Sequence, residues 1–189
     1  VLIVALGPLS GAHFNPAVTA VAARSGEMRW GRAAAYMAAQ IAGCLAGVIL
    51  AHAMFGLPLL QAATTVRAGP ALMLSEGVAT FVLVFAILAV GRHRPDRVPA
   101  AVALVIAAGY WWTSSTSFAN PAITVARAFS DTFAGVRLVD APGFIVSQFA
   151  GAALALGVVR ILFAEEENHD PLSDRHSSQS RMRDVAERR

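Results

Sequence analysis

Long apolar stretches alternate with short polar connectors along this chain. The apolar stretches run over about residues 33–55, 71–91, 98–113 and 143–163. A helix needs roughly 20 apolar residues to cross the hydrocarbon of a bilayer, with about 17 as a lower limit. The pattern therefore predicts an all-α membrane protein with four transmembrane helices, of which the third is marginal in length. A short apolar run at residues 1–6 is interpreted as the end of a further helix.

The composition agrees with a membrane location. The chain has 189 residues, of which 56% are hydrophobic and 14% are charged, whereas a soluble domain carries about 25% charged residues. Its formal charge is +3, and this small excess predicts no nucleic-acid partner. Cys44 is alone, so no intrachain disulfide can form. We expect the lipid bilayer as the surroundings, with no metal site and no cofactor.

The connectors differ in their arginine content, and the difference predicts an orientation. Arginines lie before the first long stretch, between the first and second, and between the second and third: Arg24, Arg29 and Arg32; Arg67; and Arg92, Arg94 and Arg97. Cytoplasmic loops are enriched in Lys and Arg, so we expect the Arg67 connector outside and the other two inside the cell membrane. Residues 165–189 are polar and rich in Ser and Arg, which predicts a disordered cytoplasmic tail.

One tripeptide occurs twice, each time at the start of a helix-compatible segment. The two copies are Asn15-Pro16-Ala17 and Asn120-Pro121-Ala122. Asn is a favoured helix N-cap, and Pro suits the first helical position because no N–H donor is needed there. With the asparagines aligned, Ser10 matches Ser115 and Thr19 matches Thr124, so the chain contains an internal repeat. Each copy predicts a short helix that begins at its proline.

The residues before each tripeptide are expected to be non-helical. Irregular backbone at membrane depth is tolerated only where it is buried or lines a water-filled cavity. We therefore expect a pore in which loop carbonyl groups and the asparagine amides contact a solute. Two helix N-termini that meet there would disfavour cations. The loop residues expected to line this pore are Gly11, Ala12, His13, Thr116 and Phe118.

The first copy and its flanks resemble the pore loop of the aquaporin and aquaglyceroporin superfamily. The residues that carry this resemblance are Ser10-Gly11-Ala12-His13-Phe14-Asn15-Pro16-Ala17-Val18-Thr19. Residues 76–81, Glu-Gly-Val-Ala-Thr-Phe, resemble a Glu-x-x-x-Thr-Phe segment of the same superfamily. The resemblance implies a homotetramer in which each protomer has its own pore for small uncharged solutes. It also implies that Glu76 is a buried carboxylate that accepts hydrogen bonds from pore-loop amides.

The chain departs from the superfamily in the number of its spans. The superfamily has six spans and two re-entrant half-helices arranged as an inverted repeat. This chain shows four spans and both half-helices, so the first span and most of the second are missing. We therefore expect a fragment of a longer protein, with a partial channel domain at residues 1–164.

The selectivity filter that the resemblance implies is wide and weakly polar. Water and glycerol channels of the superfamily carry an Arg three residues after the second Asn, and Ile123 occupies that position here. The resemblance places Ser117 and Ala108 at two further filter positions. Arg127 follows Asn120 by seven residues, two helical turns further toward the outer face, so it is expected in the outer vestibule and not at the constriction. Residues 113–127 are similar to bacterial aquaporins associated with arsenic resistance, which implies neutral metalloid hydroxides such as arsenous acid as solutes.

The sequence leaves more than one function open. The leading hypothesis is a passive channel for small neutral solutes, namely glycerol-like polyols, metalloid hydroxides and water. A water-selective pore, a secondary transporter and a non-conducting membrane scaffold are the alternatives. A transporter would need ion-coordinating groups at mid-membrane, for which Glu76 is the one candidate. No nucleophile–base pair or phosphate-binding loop is evident, so we do not expect an enzyme.

Overall fold

The computed structural model describes residues 1–164, which form seven α-helices and no β-strand. The helices are α1 (Leu2–Ser10), α2 (Pro16–Arg24), α3 (Trp30–Met54), α4 (Pro70–His93), α5 (Val98–Trp112), α6 (Pro121–Arg127) and α7 (Ala141–Leu162). A 3-10 turn at Pro95–Arg97 directly precedes α5. The all-α prediction is therefore confirmed for this part of the chain. The tail predicted at residues 165–189 lies outside the described residues.

Three of the described helices are long and apolar enough to cross a bilayer. They are α3, α4 and α7, with 25, 24 and 22 residues, and they correspond to the first, second and fourth predicted stretches. The third stretch forms α5, whose 15 residues fall short of the roughly 20 that a span needs. Its role as a fourth span stays a prediction. The apolar run at residues 1–6 lies within α1.

Helices α4 and α7 pack closely because glycine lies where their backbones meet. A Cβ placed on Gly151 would clash with the Gly77 carbonyl group, and a Cβ on Gly143 would meet the Met73 side chain. Small residues at such contacts let membrane helices approach each other. The pair also brings Gln148 of α7 into the interior, where it is fully buried.

Helices α2 and α6, which begin at the two prolines of the repeat, pack against the long helices. Helix α2 has nine residues and α6 has seven, and helices shorter than about 12–15 residues are marginal on their own in water. Ala17 and Val21 of α2 belong to one apolar cluster with Val84 of α4 and Ala152 of α7. Packing against α4 and α7 therefore fixes the position of α2.

The connector between α3 and α4 is tied to the segment between α6 and α7. The Ala63 N–H donates to the Ala128 carbonyl oxygen at 3.0 Å, and the Arg137 N–H donates to the Thr65 carbonyl oxygen at 3.0 Å. These bonds join two connectors that are far apart in sequence. They also place Arg67, which follows in the first connector, beside the loop that leads into α6.

Candidate pore site

The N-termini of α2 and α6 meet through their capping asparagines. The Asn15 side-chain amide donates to the Ala119 carbonyl oxygen at 2.7 Å, and the Asn120 amide donates to the Phe14 carbonyl oxygen at 2.9 Å. Each bond runs from one cap to the residue that precedes the other cap. Both asparagines are buried. This reciprocal pair of bonds joins the two copies of the repeat at their tips.

The same asparagines cap their own helices. Asn15 Oδ1 accepts from the Ala17 N–H at 2.9 Å, and Asn120 Oδ1 accepts from the Ala122 N–H at 2.9 Å. Pro16 and Pro121, which directly follow the asparagines, occupy the first helical positions of α2 and α6, as the motif predicts. An asparagine amide has two N–H donors, and the bond to the opposite loop uses one of them. The described residues therefore leave the second N–H of each amide without an acceptor.

The two loops before the asparagines share one backbone conformation. The backbone angle φ is positive at the positions four, three and one residues before each asparagine. The matched residues and their φ values are Gly11 and Thr116 (74° and 66°), Ala12 and Ser117 (47° and 47°), and Phe14 and Ala119 (49° and 46°). All but one of these residues have a side chain, and such a residue at positive φ costs on the order of 1–3 kcal/mol. The surrounding contacts must therefore hold the loops in this shape.

Glu76 of α4 braces the second loop. Its Oε1 accepts from the Phe118 N–H at 2.8 Å and from Ser115 Oγ at 2.6 Å. Its Oε2 accepts from the Ala119 N–H at 2.8 Å and from Gln148 Nε2 at 2.6 Å. Glu76 is fully buried, and buried charges are stable only when they are well hydrogen-bonded. Four donors on one carboxylate meet that requirement and fix the strained loop.

A cavity of about 260 Å³ lies where the two loops meet. The predicted site residues found in its wall are Gly11, Ala12, His13, Asn15, Asn120 and Ile123. Apolar side chains of α4 and α5 complete most of the remaining wall. The predicted lining, filter and vestibule positions that lie outside this wall are Ala108, Thr116, Ser117, Phe118 and Arg127. Glu76 and the proline and alanine of each tripeptide, Pro16, Ala17, Pro121 and Ala122, also lie outside it. The structure thus brings both asparagines and the residue three positions after the second one into a single cavity.

Comparison with known proteins identifies the family. The sequence profile of the major intrinsic proteins matches residues 1–109 and residues 73–186. The chain belongs to the major intrinsic protein family. Members of this family are integral membrane channels, which agrees with the three long apolar helices.

The relatives include channels with different names. The chain is 54% identical over 162 residues to Aquaglyceroporin AqpS of Rhizobium meliloti (strain 1021). The matched region covers 86% of this chain and 70% of that protein. It is 34% identical over 158 residues to Aquaporin NIP1-4 of Oryza sativa subsp. japonica, covering 80% and 57%. It is also 34% identical over 135 residues to the Glycerol uptake facilitator protein of Bacillus subtilis (strain 168), covering 62% and 49%. The chain thus spans about half the length of the last two relatives.

In this major intrinsic protein, Gly109 and not Ala108 meets the second loop. The α5 residues in the cavity wall are Val98, Val102 and Ile106, which recur every four positions. Ala108 lies off that face and is exposed. Gly109 is buried, and a Cβ at this position would lie 2.5 Å from Ser117 Oγ. Helix periodicity decides which α5 residue faces the loop, and here it is Gly109 that lies against Ser117.

His13 contributes a polar group to the cavity wall and is held from behind. Its Nδ1 lies 3.2 Å from Thr19 Oγ1, and Gln40 Nε2 donates to the same hydroxyl at 3.0 Å. Its ring centroid lies 6.1 Å from that of Tyr36. Within residues 1–164, no group of three or more His, Cys, Asp or Glu side chains could hold a metal ion. The contacts of His13 therefore position a lining residue.

Sequence reasoning missed two side chains that hold the second loop. Gln148 donates to Glu76, and the signal was a repeated Gln-x-Ala-Gly pattern at residues 40–43 and 148–151. Arg67 donates from Nη1 to the Ser115 carbonyl oxygen at 3.0 Å. The sequence signal for Arg67 was weaker, because a lone arginine in a connector indicates only the orientation of the chain in the membrane. Both residues are buried, which the sequence does not reveal.

Proposed function

We propose that this chain forms a passive transmembrane channel for small neutral solutes, namely glycerol-like polyols, metalloid hydroxides such as arsenous acid, and water. The observation that carries the proposal is the reciprocal asparagine pair in the cavity wall. It leaves one N–H donor of each amide for a solute oxygen. Two relatives, an aquaglyceroporin and a glycerol uptake facilitator, carry names that agree with such a solute.

The charge distribution supports a neutral solute. Each helix N-terminus carries the equivalent of roughly half a positive charge, and two of them meet at the asparagines. Cations are therefore disfavoured at this point. Glu76 cannot bind an ion there, because its four donors already occupy both carboxylate oxygens. This favours a passive channel over an ion-coupled transporter, which would need a free coordinating group.

The side chain at position 123 supports a solute larger than water. Ile123 lies in the cavity wall, where water and glycerol channels of the superfamily carry Arg. An apolar side chain there leaves a wider and less polar passage than a guanidinium group would. Arsenous acid resembles glycerol in carrying three hydroxyl groups, so the same two amide donors suit both. We propose Ser117 and Gly109 as the neighbouring filter positions.

We further propose the arrangement of the chain in the membrane. Helix α5 is the fourth span, and α2 and α6 are re-entrant half-helices that enter from opposite faces as an inverted repeat. Residues 1–164 are the channel domain of a homotetramer in the cell membrane, with residues 165–189 on the cytoplasmic side. The arginine-rich connectors before α3 and α5 support this orientation.

Replacing Ile123 by Arg in the full-length protein tests the proposal. The larger cationic side chain should narrow the passage and slow the uptake of glycerol and arsenous acid into proteoliposomes, measured by stopped-flow light scattering. Ile123→Val is the matched control and should keep the flux. Unchanged glycerol and arsenite flux in Ile123→Arg would contradict the filter assignment. Fast water flow without glycerol uptake by the unaltered protein would indicate a water-selective pore, and saturable, gradient-coupled uptake would indicate a transporter.

A further inference from the structure

An open groove runs along α7, beside α2 and the start of α3, and has a volume of about 400 Å³. Its wall on the α7 side includes Phe149, Ala153, Gly157 and Arg160. These positions are three or four residues apart, so they form one stripe along the helix. Ala153 and Arg160 are exposed. The stripe therefore faces the surroundings of the protein and not its core.

The length of the groove matches one leaflet of a bilayer. Phe149 and Arg160 are eleven positions apart, and eleven residues advance a helix by about 16 Å. The hydrocarbon of a bilayer is about 30 Å thick, so one leaflet contributes about 15 Å. Helix α7 is long and apolar enough to cross the bilayer. A groove that starts near the end of α7 and is one leaflet deep has the length of a lipid acyl chain.

Small residues keep the groove open. Ala17 and Ala20 of α2 line one side, and Ala153 and Gly157 of α7 line the other. A Cβ placed on Gly157 would meet no atom within 4 Å, so close packing does not explain a glycine that weakens the helix interior. The space beside Gly157 is free for a ligand. Lipid tails are as apolar as this wall, so the wall accommodates an acyl chain but does not select among lipids.

Positive charge is concentrated at one end of the groove. Arg24 is the last residue of α2, Arg160 lies in the last turn of α7, and Arg160 Nη2 donates to the Arg24 carbonyl oxygen at 3.4 Å. Within residues 1–164, neither guanidinium group forms an ion pair with a carboxylate. A neighbouring cavity shares Arg160 and adds Arg92 and Glu27. Three arginines and one glutamate leave a positive excess, which is larger than the roughly half negative charge of a helix C-terminus.

Trp30 lies at the same end of the groove as the arginines. It is the first residue of α3, it is exposed, and it lines the groove together with Arg24 and Arg160. Tryptophan is enriched where the hydrocarbon of a membrane meets the headgroups. Along the groove, an apolar wall is thus followed by an aromatic ring and then by positive charge. This is the order of acyl chain, glycerol backbone and phosphate in a phospholipid.

We propose that this groove is a binding site for an anionic phospholipid, with one acyl chain along the α7 stripe and the phosphate beside Arg24 and Arg160. The site requires only the membrane location of the family, so it is independent of the proposed channel function. The arginines provide the selectivity, because the apolar wall binds the chains of all phospholipids alike. A bound lipid contacts both α2 and α7 and therefore stabilises the short helix that Asn15 caps.

Lipid binding to the full-length protein in detergent tests the role of the charges, measured by native mass spectrometry. The probes are phosphatidylglycerol and phosphatidylcholine with identical acyl chains. An arginine near a membrane surface contributes about 1 kcal/mol, which is about fivefold in affinity. Arg24→Gln and Arg160→Gln should therefore each weaken phosphatidylglycerol binding about fivefold and leave phosphatidylcholine binding unchanged. Equal affinities of the unaltered protein for the two lipids would overturn the proposal.

Matched variants separate charge and shape from general effects. Arg94→Gln removes an exposed positive charge that contacts Asp96, and it should leave the ratio of the two lipid affinities unchanged. Gly157→Leu fills the groove with the charges intact and should weaken binding, whereas Gly157→Ala adds only a methyl group and should keep it. Melting temperatures without added lipid check that each variant folds. Phosphatidylglycerol binding that is as tight in Gly157→Leu as in Gly157→Ala would overturn the placement of the chain.

A labelling test uses the unaltered protein and does not depend on the folding of any variant. Phosphatidylglycerol with a photoreactive diazirine in one acyl chain is added to the protein in phosphatidylcholine vesicles, and the labelled peptides are mapped. We expect label within residues 149–157, and excess phosphatidylglycerol should prevent it. Inorganic phosphate should not prevent it, because a free anion lacks the chain. Absence of label from residues 149–157, as when another segment covers the groove, would contradict the site, and so would protection by inorganic phosphate.

Discussion

The two pore loops have the same backbone shape but differ in the contacts that they make within residues 1–164. Ser10 and Ser115 are matched by the repeat, and the hydroxyl oxygen of each accepts from the N–H two residues later, at 3.3 Å in both loops. Ser115 then donates to Glu76 at 2.6 Å, whereas Ser10 donates to the Leu6 carbonyl oxygen of its own helix at 3.3 Å. The same residue type thus links the second loop to a carboxylate and leaves the first loop with a local contact.

A second matched pair shows the same difference. Gln148 uses Nε2 to donate to Glu76 at 2.6 Å and to Thr124 Oγ1 at 2.9 Å. Gln40 donates to Thr19 Oγ1 at 3.0 Å, while its Oε1 is buried without a hydrogen-bond partner among the described residues. No hydrogen bond of the first loop within residues 1–164 involves a carboxylate. Among the described residues, the asparagine bonds are the hydrogen bonds that join the first loop to the second.

Glu76→Gln should give the largest loss of stability. The amide keeps one acceptor oxygen, but its NH₂ group faces two donors that then have no acceptor. A buried donor without a partner costs about 1–3 kcal/mol, so we expect a loss of about 3–5 kcal/mol. Thermal unfolding in detergent measures it, with exposed Glu27→Gln as the control. A Glu76→Gln protein that unfolds at the temperature of the control would contradict the bracing role.

Asn15→Asp and Asn120→Asp should each remove the bond between the loops while keeping the helix cap. The carboxylate still accepts from its own helix but cannot donate to the opposite carbonyl group. We expect each change to cost about 2 kcal/mol and to reduce glycerol flux, because a charge then faces the solute path. The double variant should cost less than the sum, since the two bonds act as one unit. A large loss of stability at one position and none at the other would show that the two bonds contribute unequally to the free energy of unfolding.

Ser115→Ala and Ser10→Ala compare the two loops directly. Ser115 donates to a buried carboxylate, and hydrogen bonds to charged groups contribute about 1.5–3 kcal/mol. Within residues 1–164, Ser10 makes only local bonds, one exposed and one part-buried, so its loss should stay within about 0.5 kcal/mol. Chemical denaturation of the two variants under identical conditions measures the difference. Equal losses would mean that Glu76 does not distinguish the two copies.

Gly109→Ala should disturb the second loop by a smaller amount. The added methyl group would lie 2.5 Å from Ser117 Oγ, and overpacking of this kind costs about 1–3 kcal/mol. Alanine regains up to about 1 kcal/mol of helix propensity. Ala108→Ser, on the exposed side of α5, is the matched control and should have little effect. Adding Ser117→Gly should restore stability, because Ser117 has a φ of 47°, which glycine adopts freely.

Acid should act on the outer support of the second loop through Asp140. Arg137 donates to the Asp140 carboxylate at 2.9 and 3.0 Å, and the Arg67 backbone N–H donates to it at 3.0 Å. These bonds hold the pKa of Asp140 below its usual value, and the bonds from Arg137 have the largest effect. The folded state therefore binds this proton more weakly than the unfolded state. The stabilisation is present above about pH 4 and is lost as pH falls through the folded pKa. Asp140→Asn should flatten the acid side of the melting temperature profile, and an unchanged profile would contradict this.

The sequence by itself determined the helices and the place where the pore loops end. Long apolar runs predicted α3, α4 and α7, because a membrane span is set by length and hydrophobicity within one segment. The Asn-Pro pairs predicted the starts of α2 and α6, because capping involves only neighbouring residues. The repeat also suggested that the two copies share one conformation. The apolar runs and the capping pairs act within single helices, and the repeat is visible when the chain is compared with itself, so all of these signals can be read from the sequence directly.

Only the tertiary structure decided how the loops are held and which residues face the cavity. The asparagine bonds connect residues 104 and 106 positions apart, and Gln148 reaches Glu76 across 72 positions. Positive φ at residues such as Phe14 and Ala119 has no local cause, because isolated chains avoid this region. Gly109, and not Ala108, lies against Ser117, because the rotation of α5 follows from its packing. Contacts between residues far apart in sequence stabilise the positive-φ backbone of the loops, and these contacts form only when the helices assemble.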